Sequence, residues 1–233
     1  MAPFDLPIGL ALARPIDRLP ASAGRDRAEP KLDGWRGLLA AGPAARLYSR
    51  HGTDLSRAFS DVVPAAAELP PCVLDGEVIA VLRTGALSFA RLQTRSGKGP
   101  KPGADFTVQF AAFDALADDT DRRPLPYLER HELLLGLLEN APPTIWPVPM
   151  TDNLDQAKAW FKSLGGGVEG CVSKPAARSW SRSRRRPRVS RAGRRPAGCR
   201  AGRPRCRAVR PGRRSRGAAA GRVPSAAPGR GGG

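Results

Sequence analysis

The first 175 residues predict an α+β domain, a sandwich in which sheets and helices are segregated. Three observations lead there. Segments with strand composition are interrupted by helical ones in irregular order, which argues against the steady β-α-β alternation of a doubly wound parallel sheet. No internal repeat marks a solenoid or propeller. The composition also breaks near residue 176, so only the part before it mixes apolar, acidic and basic residues as a folding domain does.

Taken in order, PKLDGWRG (30–37) reads locally as a surface hairpin with Asp33-Gly34 as its turn. ARLYSR (45–50), CVLDGEVIAVL (72–82), FTVQFAAFDAL (106–116) and VEGCVSKP (168–175) have the β-branched and aromatic content, and partly the alternation, of strands. A first helix is expected after Thr53 or Asp54 as cap, with Leu55, Phe59, Val62 and Val63 on one face. A second starts near Pro126 and carries Leu128, Leu134 and Leu138. The third follows Asp152 or Asn153, buries Leu154, Ala157, Phe161 and Leu164, and stops at Gly165–Gly167. TRSGKGPKPGAD (94–105) is a basic glycine and proline loop, read as a solvated connection between strands.

The chain of 233 residues has a formal net charge of +18. Residues 176–233 hold 19 arginines and no lysine, aspartate or glutamate, one charge more than the whole, so the first 175 residues sum to −1. The excess charge therefore belongs to the tail alone. From Arg178 onward the chain is almost entirely Arg, Gly, Ala, Pro and Ser, with Trp180 as its one aromatic residue. Such a segment lacks the apolar surface to offset the entropy of ordering it, and disorder is expected.

Cys72 and Cys171 lie in apolar runs and read as core residues; Cys199 and Cys206 have no histidine or acid beside them to complete a metal site. No run of about 18 apolar residues offers a membrane span. The start, MAPFDLPIGLALARP, has an acid and prolines where a signal peptide needs a basic and then a longer apolar region. A cytoplasmic chain without a membrane partner is expected.

Lys31 stands out in a chain where lysine is rare. A lysine amine is a nucleophile only when neutral, and at an ordinary pKa only about one in 2,500 is neutral at pH 7. Burial or a nearby cation shifts that balance by penalising the ammonium form. Arg36 supplies a cation five residues on, and the Asp33-Gly34 turn would bring both side chains together, towards a phosphate or as a plain hairpin.

The wider pattern adds to this. EPKLDGWR (29–36) resembles motif I of the covalent nucleotidyltransferases, the superfamily of ATP-dependent DNA ligases, RNA ligases and mRNA capping enzymes, with its K-x-D-G-x-R signature. SRHG (49–52) resembles motif Ia, LDGE (74–77) motif III, FAAFDAL (110–116) motif IIIa and EGCVSK (169–174) motif IV, in the family's order. SFARLQTR (88–95) resembles the segment ligases carry between motifs III and IIIa. Glu29 before the lysine and the FD-x-L of motif IIIa liken residues 5–175 to the adenylation domain of bacterial ATP-dependent DNA ligases.

That resemblance implies a nucleotidyltransferase, ATP-grasp-like domain of two packed antiparallel sheets with flanking helices. It implies ATP and Mg²⁺ as cofactors and nicked double-stranded DNA as partner, in repair or recombination. Lys31 would attack the α-phosphorus of ATP, expel pyrophosphate and carry AMP as a phosphoramidate; AMP would pass to a 5′-phosphate at a nick, and the 3′-hydroxyl would displace it. Glu77 and Glu169 match the acids that serve the ribose and the metal. Phe113 would stack on adenine, and Glu29 would accept from the adenine amino group. Arg36 and Arg50 would bind nucleotide or nick phosphate, and Lys174 would stand near the α-phosphate. His51 and His131 match nothing in the pattern and read as non-catalytic.

The resemblance stops near residue 175. No lysine follows Lys174, so the W-x-K-x-K-like motif V is missing, and the tail shows no strand pattern for an OB-fold. The switch to Arg, Gly, Ala, Pro and Ser matches a high-GC coding sequence read out of frame. Two readings follow: a ligase impaired by this loss, or a non-catalytic domain that binds nucleic acid through an arginine-rich arm.

Overall fold

The computed structural model describes residues 2–16, 25–95, 103–163, 168–180 and 188–191. In chain order its elements are β1 (Arg14–Ile16), β2 (Asp26–Leu32), β3 (Trp35–Ala41), β4 (Arg46–Ser49), α1 (Val62–Ala67), β5 (Cys72–Leu82), α2 (Phe89–Gln93) and β6 (Phe106–Ala117). There follow α3 (Tyr127–Leu138), β7 (Ile145–Pro147), α4 (Leu154–Ser163), β8 (Val168–Pro175) and β9 (Arg188–Arg191). Two sheets result, one in the order β4-β3-β5-β6-β7 and one in the order β1-β9-β8-β2. The α+β class with two sheets is as expected. The refinement is that each sheet ends in a parallel pair, β6 with β7 and β1 with β9.

The five-stranded sheet is buried on both faces, and strand alternation decides what each face receives. In β5 the even residues Leu74, Val78 and Ala80 join Leu39, Leu47, Phe59, Val62, Phe110, Leu134 and Leu138 in the main core beneath α1 and α3. The odd residues Val73 and Ile79 belong to the opposite face, where the N-terminal segment (Phe4, Leu10) and Leu32 of β2 pack. Asp75 and Glu77 follow the same odd spacing. This face looks onto the four-stranded sheet, and a cleft runs between the two.

β2 ends its sheet, pairing with β8 in register Glu29↔Val172 and Lys31↔Gly170, and on its other side Ala28 exchanges two backbone hydrogen bonds with Thr151. Pro30 fits there because an edge strand can turn its missing N–H away from the ladder. Behind this sheet α4 packs through Ala157, whose carbonyl accepts from the Cys171 thiol at 3.4 Å. Both Cys72 and Cys171 are free and buried, as expected for core residues, and burial lifts their thiols to about 12 and about 11.

Several expectations change. PKLDGWRG is not a hairpin: β2 and β3 belong to different sheets, and Asp33-Gly34 carries the chain from one to the other. The helix expected from residue 54 forms only from Val62. Before it, Asp54 accepts from the Ser56 N–H at 2.8 Å, Leu55 donates to Leu47 at 2.7 Å and Ser56 Oγ accepts from Leu47, so the chain hydrogen-bonds the β4 strand instead. Phe59 and Val62 are buried nonetheless. The helix near Pro126 is α3, with Leu134 and Leu138 buried. α4 is capped by Asn153, whose Oδ1 accepts from Asp155 at 2.8 Å and Gln156 at 3.2 Å, but Leu154 is exposed. The side chain of Phe161, Leu164, Gly165–Gly167 and positions 96–102 of the basic loop lie outside the described residues.

The tail also differs in its first part. Residues 176–180 continue along the body: Ala176 donates to Arg25 and Trp180 to Arg123, each at 2.9 Å. β9 then pairs with β8 as Gly170↔Arg191 and Val172↔Val189. Residues 1–194 make one compact unit; positions 192–233, where disorder is expected, lie outside the described residues. No described helix is long and apolar enough to cross a membrane.

Candidate active site

The cleft between the sheets draws its lining from both of them. Glu29, Lys31, Arg36, Glu77, Phe113 and Lys174 all line it, with Val148 and Val172 as apolar walls. Glu29 and Lys31 alternate on β2, and Val172 and Lys174 on β8. Arg36 and Glu77 stand opposite each other in the β3–β5 register, and Phe113 comes from β6. Six of the seven expected nucleotide contacts therefore converge from two sheets.

Around the amine the charges are acidic. Lys31 Nζ forms an ion pair and a short hydrogen bond with Glu169. Asp33 is pushed up by burial and by Glu169, with Lys31 opposing. Burial at the cleft floor raises the Glu77 carboxyl to about 7, although Arg36 and Lys31 favour its ionised form. The cation expected to share Lys31's surroundings is directed elsewhere. Arg36 donates through Nε and Nη2 to Asp75 at 2.7 and 2.8 Å, so its bidentate fork is already engaged.

Arg36 also lies over the Phe113 ring, its guanidinium carbon 4.2 Å from the centroid. Lys174 Nζ sits 4.4 Å from the same centroid and donates to the Phe113 carbonyl at 2.9 Å. Its main partner is Glu29, reached at 2.7 Å and 2.9 Å on the two carboxylate oxygens. Tyr127 of α3 donates a short hydrogen bond to Glu29 Oε1. Glu29 is buried, and that raises its carboxyl; Lys174 and Tyr127 oppose the rise. His131, one turn along α3, is held down to about 4 by burial and by Lys174.

Arg50 does not join the cleft. It is exposed and contacts His51 at 3.3 Å, while its backbone N–H reaches the Arg36 carbonyl at 3.2 Å. Three residues not singled out from sequence complete the frame. Asp75 locks Arg36, Asp114 forms a buried two-bond pair with Arg130 at 2.8 Å, and Tyr127 orients Glu29. Asp75 and Asp114 were visible as acids inside LDGE and FDAL; Tyr127 had no local signal at all. Among the described residues no cluster of three or more His, Cys, Asp or Glu forms a metal site from protein groups alone.

The family model for the ATP dependent DNA ligase domain matches residues 12–189. DNA ligase C1 of Mycolicibacterium smegmatis is 32% identical over 186 residues, covering 74% of this chain and 53% of that protein. A multifunctional non-homologous end joining protein LigD from Mycobacterium bovis is 36% identical over 152 residues, 63% of this chain and 18% of that protein. The chain thus spans about half or less of the length of these relatives. Among solved structures, the ligase domain of M. tuberculosis LigD superposes with a TM-score of 0.63 at 26% identity, covering 78% of this chain and 60% of that one. A mycobacterial DNA ligase D complexed with ATP and MES gives 0.60 at 25% identity over the same shares. With a match over most of its length and the motif residues gathered in one cleft, this chain belongs to the ATP dependent DNA ligase domain family.

Proposed function

We propose that this chain activates ATP by forming a lysyl-adenylate on Lys31 and serves the sealing of nicked double-stranded DNA in repair. The observation that supports this most is the convergence of Lys31, Glu29, Glu77, Phe113 and Lys174 on one cleft, with Glu169 against the amine. The neutral Lys31 amine attacks the α-phosphorus, an N–P bond forms as the bond to pyrophosphate breaks, and the proton displaced from nitrogen passes to solvent. Phe113 offers a flat face to the base. Glu29 accepts from its amino group, and Lys174 brings positive charge to the inner end of the site.

Glu77 and Glu169 are suited to Mg²⁺, a cation commonly bound by one or two carboxylates together with substrate phosphates. Bound there, the ion would offset negative charge on the phosphates. In the described state Glu169 pairs with Lys31, so freeing the amine requires Glu169 to change partner. Arg36, held by Asp75, would support the ring of Phe113, and the exposed Arg50 would be the arginine that meets the nick phosphate.

Incubation with Mg²⁺ and α-labelled ATP tests the proposal. A covalent AMP adduct that survives denaturation is expected, with its loss in Lys31→Ala. Label that persists without Lys31, or no label in the unmodified protein, would refute it. Chase of the adduct with nicked duplex then reads AMP transfer to the 5′-phosphate.

A further inference from the structure

Tyr127 lies outside the nucleotide cleft. It lines a neighbouring pocket that shares Phe113 and Lys174 with the cleft, and it reaches the cleft through Glu29, by its hydroxyl, and through Lys174, by its ring. A carboxylate offers about four acceptor positions. In Glu29, Oε1 accepts from both the Tyr127 hydroxyl and Lys174 Nζ, while Oε2 accepts from Lys174 alone. Among the described residues these three contacts leave one acceptor position on Oε2 of a carboxylate that lines the cleft. A group that can only accept, such as a purine 6-carbonyl, meets a buried acceptor there. A group that donates meets its complement, and discrimination of this kind is strong because a mismatch leaves buried polar atoms unpaired.

We infer that Tyr127 is a positioning residue for base selection: its hydroxyl fixes the Glu29 carboxylate so that a purine bearing an exocyclic amino group at C6 is preferred. The inference rests on the reading of the cleft as a nucleotide site. Three features of the placement support it. Tyr127 is fully buried on α3, a helix that packs on β6, so its hydroxyl is held by the core and not by a mobile loop. Its ring lies 4.6 Å from Lys174 Nζ, which brings the same side chain against both partners of the carboxylate. On its other side His131 Nδ1 lies 3.5 Å from the hydroxyl, too long to compete with Glu29 for the proton.

The test measures equilibrium binding, with Mg²⁺, of ATP and of the purine riboside triphosphate that carries hydrogen at C6. The unmodified protein is expected to prefer ATP by about tenfold, the scale of one hydrogen bond to a charged group. Tyr127→Phe, which removes only the hydroxyl, should shrink that preference to about threefold or less while affinity for the 6-H analogue stays within about twofold. In Glu29→Gln the preference should vanish and Tyr127→Phe should have no further effect. Equal weakening of both nucleotides in Tyr127→Phe, or an unaltered preference, would overturn the inference. So would the same Tyr127→Phe effect in the Glu29→Gln background, which would mark a merely structural role. The AMP-adduct assay run in parallel separates the two claims: selective binding without an adduct on Lys31 keeps this inference and refutes the adenylation reading, and an adduct with unaltered base preference does the reverse.

Discussion

Burial places the charged side chains of the cleft under constraints that sequence spacing alone does not reveal. Asp75, Asp114 and Glu29 are each nearly inaccessible, and each meets a cation: Arg36, Arg130 and Lys174. Removing one partner of such a pair strands a buried charge and costs about 3–5 kcal/mol. Arg130→Met should therefore lower the thermal midpoint sharply, and Asp114→Asn with Arg130→Met together should recover part of the loss, as a double-mutant thermal series would read. His131 gives a pH dependence whose sign is fixed. Its folded pKa, about 4, lies below the ordinary 6.5, so the unfolded chain binds more protons between those values. Its contribution to stability is present above pH 6.5 and is lost as pH falls towards 4. His131→Gln should flatten that decline by about 1 kcal/mol or more in melts between pH 7 and 4. The motif residues were legible because each lies in a short pattern. Tyr127 was not, since its role depends on a partner 98 positions away in sequence.

At the scale of elements, β5 and β8 could be read to the residue because their valine, isoleucine, leucine and cysteine content outweighs the acids and glycines between them. The turn between β2 and β3 could not. Asp-Gly is a hairpin signal, yet which sheet each flanking strand enters is decided by tertiary pairing with β8 and β5, far along the chain. Gly34 is fixed by that crossing. A Cβ there would collide with the Val78 carbonyl oxygen and fall 2.7 Å from Glu77 Cγ. Gly34→Ala should consequently displace Glu77 relative to Lys31 and slow adduct formation by about a hundredfold, with a fall in the melting midpoint; single-turnover labelling and calorimetry check both. The helix expected from residue 54 failed for a related reason, since Leu55 and Ser56 hydrogen-bond Leu47 of β4 while Asp54 accepts locally from the Ser56 N–H.

For the whole molecule, composition set its break near residue 175, whereas the described strands run on to β9. Arginine and serine carry little strand signal, and RVSR is recognised as a strand only through its pairing with β8 and β1. A chain ending at residue 194 should melt at the same temperature as the full protein, whereas one ending at residue 180 should melt lower because β8 loses a neighbour. The smaller sheet joins the first strands of the chain to the last described ones, since β1 pairs with β9 and β2 with β8. On the ribosome this sets an order of events. The five-stranded sheet has all its strands once residue 147 has emerged, while the strand bearing Lys31 waits for residues 168–175. Such distant pairing is slow to form. Lys31 is therefore among the last parts of the domain to be assembled, and a nascent chain halted before residue 168 would hold a packed core with its cleft unformed.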